Sequence, residues 1–151
     1  MRTQYVFFAF LFVLSCGLNS SCTDYYYMVR HAEKLNPSDD NTPLSNDGAR
    51  RAIALCDSLR NKNVSRIFIS DARRSRETAQ PTASALNIVP TPYNRSQGLA
   101  YLESQVRGTR DHNVLVVGHS DNIPELIHAL TGNWVTSTTD HFIPESDFDN
   151  F

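Results

Sequence analysis

The chain has 151 residues, of which 40% are hydrophobic, enough for one domain with an ordinary core. Its 14 basic and 16 acidic residues form no basic block that could cover a nucleic-acid backbone, so nucleic acid is not an expected partner. The 3 cysteines lack C-x-x-C spacing and the 5 histidines show no paired ligand motif, so no zinc site, disulfide framework or cofactor is expected.

Arg2 gives a short positive start, Tyr5 to Leu14 is unbroken apolar sequence, and Ser15-Cys16 follows at once, the anatomy of a secretory signal peptide. The run is too short to span a bilayer, which takes about 20 apolar residues. Val13-Leu14-Ser15-Cys16 resembles the bacterial lipobox, which implies lipidation of Cys16 and a membrane-anchored lipoprotein of a bacterial cell envelope. On that reading residues 1–15 are the signal, 16–23 the lipidated cysteine and its tether, and 24–151 the folded domain. The alternative is a plain signal cleaved near Ser15 or Ser21, giving a periplasmic or secreted soluble protein. Of the remaining cysteines, Cys56 falls on the apolar helical stripe Ala49, Ala52, Ile53, Cys56, Leu59, which predicts a buried free thiol.

The elements then follow in order. Tyr25 to Val29 reads as a buried strand, its tyrosines core and strand face, and it ends at Arg30-His31. Lys34 to Pro43 is rich in Asn, Pro, Ser and Asp and reads as a loop at the rim of a site. Ser45 is a capping candidate for a helix running to about Asn61. Arg66 to Ser70 is a second short strand, and Ser70 to Ala79 opens a helix through Ala85 in which Pro81 should kink or restart the chain. Asn87 to Pro92 carries two prolines and predicts a brief or edge strand. Tyr93 to Gly98 is loop, and Leu99 to about Thr109 has weak helical character. Asn113 to Ser120, β-branched without polar alternation, predicts a central strand covered on both faces and ending at His119. Asn122 to Leu130 reads as a helix with Pro124 in its first turn, stopped at Thr131-Gly132. Asn133 to Phe151 is a polar tail.

Strands alternating with helices predict a three-layer α/β fold, a mostly parallel sheet with right-handed crossovers and helices on both faces. Three strand ends would then bring Arg30-His31, Arg74 and His119 to the carboxyl edge of the sheet, where such folds bind ligands.

A phosphoryl group must be neutralised before a nucleophile can attack it, and arginine does this with a planar fork that stays charged. Arg30 and Arg74 are the candidates. A neutral imidazole at His31 could take the phosphoryl group, giving a phosphohistidine that water then hydrolyses. His119 would be a second imidazole, charged by the bound phosphate and donating to an equatorial oxygen. Arg73 and Arg76 read as solvated helix positions, and Glu33 either orients a catalytic group or pairs with Lys34 or an arginine. His112, His128 and His141 read as structural or surface residues.

Arg30-His31-Ala32-Glu33 resembles the Arg-His-Gly-type signature of the histidine phosphatase superfamily, also called phosphoglycerate-mutase-like. Pro43 to Gly48 is similar to the family's Pro-Leu-Thr-x-x-Gly helix start. Ser70 to Ala79 is similar to its Ser-x-x-x-Arg-x-x-x-Thr-Ala segment, which maps the phosphate-binding arginine onto Arg74. Val116 to Ser120 matches the strand that carries the second histidine. The resemblance spans Tyr25 to about Gly132 and implies a phosphoglycerate-mutase-like fold. It also implies a phosphohydrolase with His31 as nucleophile and Arg30, Arg74 and His119 completing the phosphate pocket. The substrate would be a small phosphomonoester or a phosphohistidine-bearing protein.

Two features depart from the family pattern. Many members protonate the leaving oxygen with a glutamate or aspartate, but Tyr93 to Leu102 contains no acid; Glu103 and Asp121 are the nearest candidate proton donors. Phe148 to Phe151 looks like the start of a closing strand, which a truncated C-terminus or a short native edge would explain. The missing acid keeps a second class open, a catalytically weak or inactive phosphate-binding or interaction module. A mutase is a weaker third, since export separates the protein from glycolytic intermediates.

Overall fold

The computed structural model describes residues 25–109 and 113–134. Residues 1–24, with the expected signal and with Cys16 and Cys22, residues 110–112 with His112, and the residues from 135 onward, with His141 and Phe148 to Phe151, lie outside the described residues. The elements run β1 (Tyr26–Arg30), α1 (Asn46–Leu59), β2 (Val64–Ser70), α2 (Arg73–Leu86), β3 (Thr91–Tyr93), α3 (Gly98–Arg107), β4 (Asn113–Gly118) and α4 (Asn122–Thr131), with one 3-10 turn at Arg95–Gln97. The strands form one parallel sheet in the order β1-β4-β2-β3. The fold is the three-layer α/β arrangement that the alternation of elements predicts.

β4 lies between β1 and β2, with Val117 opposite both Val29 and Ile69. Its unbroken apolar run has a simple cause, because both faces are covered. Leu115 and Val117 join Ile67, Ile69, Leu55, Leu59, Ala79 and Ala83 in the core beneath α1 and α2. Val114 and Val116 join Phe68, Tyr93, Leu102, Val106, Ile123 and Leu126 beneath α3 and α4. Each fully buried aliphatic side chain of this kind contributes about 1.5–3 kcal/mol, so this strand anchors both halves of the core.

Several local expectations need correction. β1 is an edge strand, so Tyr25 and Tyr26 are exposed and Tyr27 only packs at the margin of the core. The buried face of α1 is Gly48, Ala52, Leu55, Cys56 and Leu59; Cys56 is buried, but Ala49 and Ile53 point to solvent because the helix is turned toward Leu55. α2 runs as one helix through Pro81 rather than restarting there. β3 begins later than Asn87 and takes in Tyr93, forming the edge strand beside β2. Ser45 caps α1, its hydroxyl accepting from the Gly48 amide at 3.0 Å. No helix among the described residues is long and apolar enough to cross a membrane.

Candidate active site

Three strand ends on the carboxyl edge of the sheet build the site. β1 ends at Arg30, in register with Gly118, and the His31 amide continues the ladder by donating to the Gly118 carbonyl at 3.0 Å. β4 ends at Gly118 and hands over to His119. Arg74 lies in the first turn of α2, just past the end of β2. His31, Arg74 and His119 are each no more than 5% exposed. The histidine rings meet edge to face, with centroids 5.2 Å apart and 68° between planes.

The hydrogen bonds assign the ring protons. A carbonyl oxygen can only accept, so the contact at 2.8 Å between His31 Nδ1 and the Ala32 carbonyl places the proton on Nδ1 and leaves a lone pair on Nε2. A guanidinium can only donate, so Arg74 Nη2, 3.3 Å from His119 Nδ1, makes that nitrogen the acceptor. The proton of neutral His119 is then on Nε2, which donates to Ser70 Oγ at 2.8 Å. Ser70 in turn donates to Ser75 Oγ at 2.7 Å.

Both imidazoles are held neutral. Burial, reinforced by Arg74, Arg30 and Lys34 against the opposing Ala32 hydrogen bond, lowers the His31 pKa to about 4. Burial followed by the charges of Arg95, His31 and Arg74 lowers that of His119 to about 3, with Asp121 opposing. A neutral His31 is the form a nucleophile needs. His119 carries no charge in the unliganded site; the dianion of a bound phosphate would have to supply the field that charges it.

Arg74 is held from two sides. Nη1 donates to the Asp40 carbonyl at 2.6 Å and lies 3.6 Å from the Asp40 carboxylate, while Nη2 meets His119. Its Nε is buried with no hydrogen-bond partner among the described residues, a donor that a phosphoryl oxygen would satisfy. Asp40 stands on the 34–43 loop, which springs from the Lys34–Leu44 bridge and is tied by Lys34 Nζ donating to the Pro37 carbonyl at 2.6 Å.

Other predicted residues fall as follows. Arg73 is exposed and pairs with Glu77 at 2.7 Å, and Arg76 is exposed too. Glu33 pairs with an arginine, Arg51, in a fork of contacts from 2.8 to 3.1 Å. Gly48 is required there, because a Cβ would run into the Glu33 backbone. Glu103 lies on α3 and pairs with Arg107 at 2.8 Å. Asp121 precedes α4 and accepts from the Asn122 amide at 2.8 Å and from Arg95 at 2.7 Å. Burial pushes its pKa up, but the Asn122 amide and Arg95 outweigh that and hold it below the usual carboxylate value. His128 stacks on Trp134 with centroids 4.0 Å apart. Among the described residues, no cluster of three or more His, Cys, Asp or Glu is arranged to hold a metal ion.

Sequence reasoning missed the supporting residues. Asn122 accepts the His119 amide at 2.8 Å through Oδ1 and donates to the Tyr93 hydroxyl at 3.1 Å through Nδ2. Thr78 bridges Ala32 and Arg74, and Arg95 contributes the largest neighbouring charge acting on His119. Ser70 and Thr78 were visible in the motif, but nothing in their spacing says what their hydroxyls touch.

The profile described as histidine phosphatase superfamily (branch 1) matches residues 26–100. No curated protein matches the chain. Among solved structures, a candidate phosphohistidine phosphatase SixA of Nakamurella multipartitia is 28% identical, with a TM-score of 0.55 over 68% of this chain and 63% of that one. The chain thus spans less than two thirds of that protein. A candidate SixA of Agrobacterium tumefaciens is 26% identical, with a TM-score of 0.56 over 71% of this chain and 76% of that one. The protein histidine phosphatase SixA complexed with tungstate, at 17% identity, shares the fold with a TM-score of 0.62 over 76% of this chain and 81% of that one. By this profile match over residues 26–100, which takes in Arg30, His31 and Arg74, the chain belongs to the histidine phosphatase superfamily.

Proposed function

We propose that the protein is a phosphatase that works through a phosphohistidine on His31. The observation that carries this reading is the His31 tautomer: Nδ1–H is held by the Ala32 carbonyl, and Nε2 keeps its lone pair on a ring that meets His119 edge to face. Arg30 and Arg74 neutralise the phosphoryl oxygens, Nε2 attacks phosphorus, and the leaving group departs from the opposite side. Water then attacks the phosphohistidine and releases phosphate. His119, protonated when the phosphate is bound, donates to an equatorial oxygen in both steps.

The substrate class we infer is one with a good leaving group, either a phosphohistidine-bearing protein or an activated phosphomonoester. The pairing of Asp121 with Arg95 and of Glu103 with Arg107 supports this, since it leaves neither carboxyl ready to give a proton to a poor leaving group. The likeness to SixA proteins supports the phosphohistidine alternative. We also propose that the protein is exported and anchored through a lipid on Cys16, a reading that rests on the sequence of the leader. Incorporation of labelled fatty acid that is lost in Cys16→Ala would support the anchor; equal labelling in the two would overturn it.

The test of the activity uses a labelled activated aryl phosphate with a quench in base. A base-stable, acid-labile adduct that vanishes in His31→Ala is the expected result. No adduct and no phosphate release across a broad panel of phosphate esters and phosphohistidine would overturn the reading in favour of a phosphate-binding module.

A further inference from the structure

We infer that Ser70, backed by Ser75, is a positioning residue that lets His119 take up its proton when phosphate binds. The inference rests on the phosphatase reading, because it concerns how the same site receives a phosphoryl group.

The geometry is a directed chain of three hydrogen bonds among buried side chains. Arg74 Nη2 donates to His119 Nδ1 at 3.3 Å, His119 Nε2 donates to Ser70 Oγ at 2.8 Å, and Ser70 donates to Ser75 Oγ at 2.7 Å. Both serines are 0% exposed, so neither hydroxyl faces bulk water. Ser75 accepts the only hydroxyl proton of Ser70, and that leaves the Ser70 oxygen turned to His119 as an acceptor. An acceptor there suits both states of the ring, because Nε2 carries a proton in the neutral tautomer and in the imidazolium alike.

The consequence lies on the other nitrogen. In the free protein Nδ1 accepts from Arg74. When a phosphoryl group draws the guanidinium to itself, Nδ1 becomes free to take a proton and donate it to a phosphoryl oxygen. Ring direction and Nε2–H contact stay as they were, so His119 changes charge without rotating. The titratable groups facing His119 are His31 just after β1, itself neutral, Arg74 from α2, Arg95 from the turn after β3 and Asp121 ahead of α4. The two arginines oppose a positive imidazole, and Asp121 favours it. An oriented acceptor on Nε2 is therefore the nearest neutral group that supports the cation. If Ser70 is removed, Nε2–H is left buried with no partner, an arrangement that disfavours the imidazolium more than the neutral ring.

The experiment follows the His119 ring nitrogens by NMR in the protein with inorganic phosphate as the probe, across pH, in wild type, Ser70→Ala, Ser70→Thr and Ser75→Ala. In wild type without phosphate the neutral Nε2–H tautomer is expected, and with saturating phosphate the imidazolium. In phosphate-saturated Ser70→Ala the midpoint of His119 protonation should fall by about 1 pH unit, a roughly tenfold loss of proton affinity. Ser70→Thr, which keeps the hydroxyl, should restore most of it. Ser75→Ala should move the midpoint the same way by less, since the freed Ser70 hydroxyl can then turn its own proton toward Nε2. It serves as the second test should Ser70→Ala fail to fold. Coincident midpoints in wild type and the folded variants, or a wild-type His119 that stays neutral with phosphate bound, would overturn the inference. The first of those results leaves the phosphatase reading intact, whereas absence of the His31 adduct in wild type would overturn that reading independently.

Discussion

The hydroxyl of Thr78 accepts the amide of Ala32 at 2.9 Å and donates to the carbonyl of Arg74 at 2.7 Å. One side chain on α2 therefore sets the distance between the segment that follows His31, the proposed nucleophile, and Arg74, the proposed phosphate ligand. It also sits just beyond the His31 ring's own anchor, the Ala32 carbonyl. Thr78 is 2% exposed, so its hydroxyl does not face bulk water. Thr78→Val keeps the shape and removes both bonds, which should cost about 1–3 kcal/mol of stability for the unsatisfied Ala32 amide. A shift of the order of 1 Å in the nucleophile should lower kcat/KM by about 100-fold. Chemical denaturation and steady-state kinetics on Thr78→Val and Thr78→Ser check this; a Thr78→Ser variant as impaired as Thr78→Val would show that the hydroxyl is not the cause.

Arg74→Lys tests the fork. Arg74 already spends one nitrogen on the Asp40 carbonyl and another on His119, with Nε in reserve. A lysine carries one nitrogen and cannot reach all three directions. The expected loss is about 100- to 1000-fold in kcat, comparable with removal of an oxyanion donor elsewhere, together with weaker inhibition by vanadate. Near-normal kcat in Arg74→Lys would mean that charge alone suffices.

The two depressed histidines make a pH prediction with a definite sign. Their folded pKa values of about 4 for His31 and about 3 for His119 lie below the ordinary 6.5, so between those limits the unfolded chain binds more protons than the folded one. Their burial as neutral rings is thus fully compatible with stability above about pH 6.5, and stability falls as pH drops from there toward 4 and 3. The loss should reach on the order of 3 kcal/mol per histidine. Urea midpoints at pH 7.5 and 5 measure its first part, about 2 kcal/mol per histidine, and the drop should be smaller in His119→Gln. For the same reason, if His31 is the nucleophile, kcat/KM should show no acid limb near 6.5 from it, because His31 stays unprotonated until about pH 4.

The parts of this site that could be read in the sequence share one property: the residue type and its place at a strand end carry the argument. Arg30-His31 and His119 each follow an apolar run, and β4 was recognisable because a strand buried on both faces shows no alternation. Arg74, by contrast, differs in sequence from Arg73 and Arg76 only in its place in the family motif, and only helix rotation explains why it is the buried one. The turn of α1 toward Leu55 and the exposure of Tyr25 and Tyr26 depend on which strand lies at the sheet edge, which is decided by pairing across the whole chain. The hydroxyls of Ser70, Ser75 and Thr78 belong to the same group. A serine buried against a histidine looks, in sequence, like any serine at a helix start.

The proton donor gives the last prediction. Asp121 is half exposed, paired with Arg95 at 2.7 Å and engaged with the Asn122 amide, which holds its carboxyl ionised. Glu103 is paired with Arg107 one turn along α3. If neither carboxyl protonates the leaving oxygen, Asp121→Asn and Glu103→Gln should change the rates on good and poor aryl phosphate leaving groups by the same factor, with the ratio between them kept within about twofold. Asp121→Asn should still cost about 1 kcal/mol or less in stability, because asparagine remains a competent cap for α4. The decisive comparison is the slope of log kcat/KM against leaving-group pKa. A general acid masks the charge that develops on the leaving oxygen, so its removal steepens that slope. Equal slopes in the three proteins would match a site that relies on the leaving group's own stability. A steeper slope in Asp121→Asn alone would instead identify Asp121 as the donor, released from Arg95 when the substrate binds.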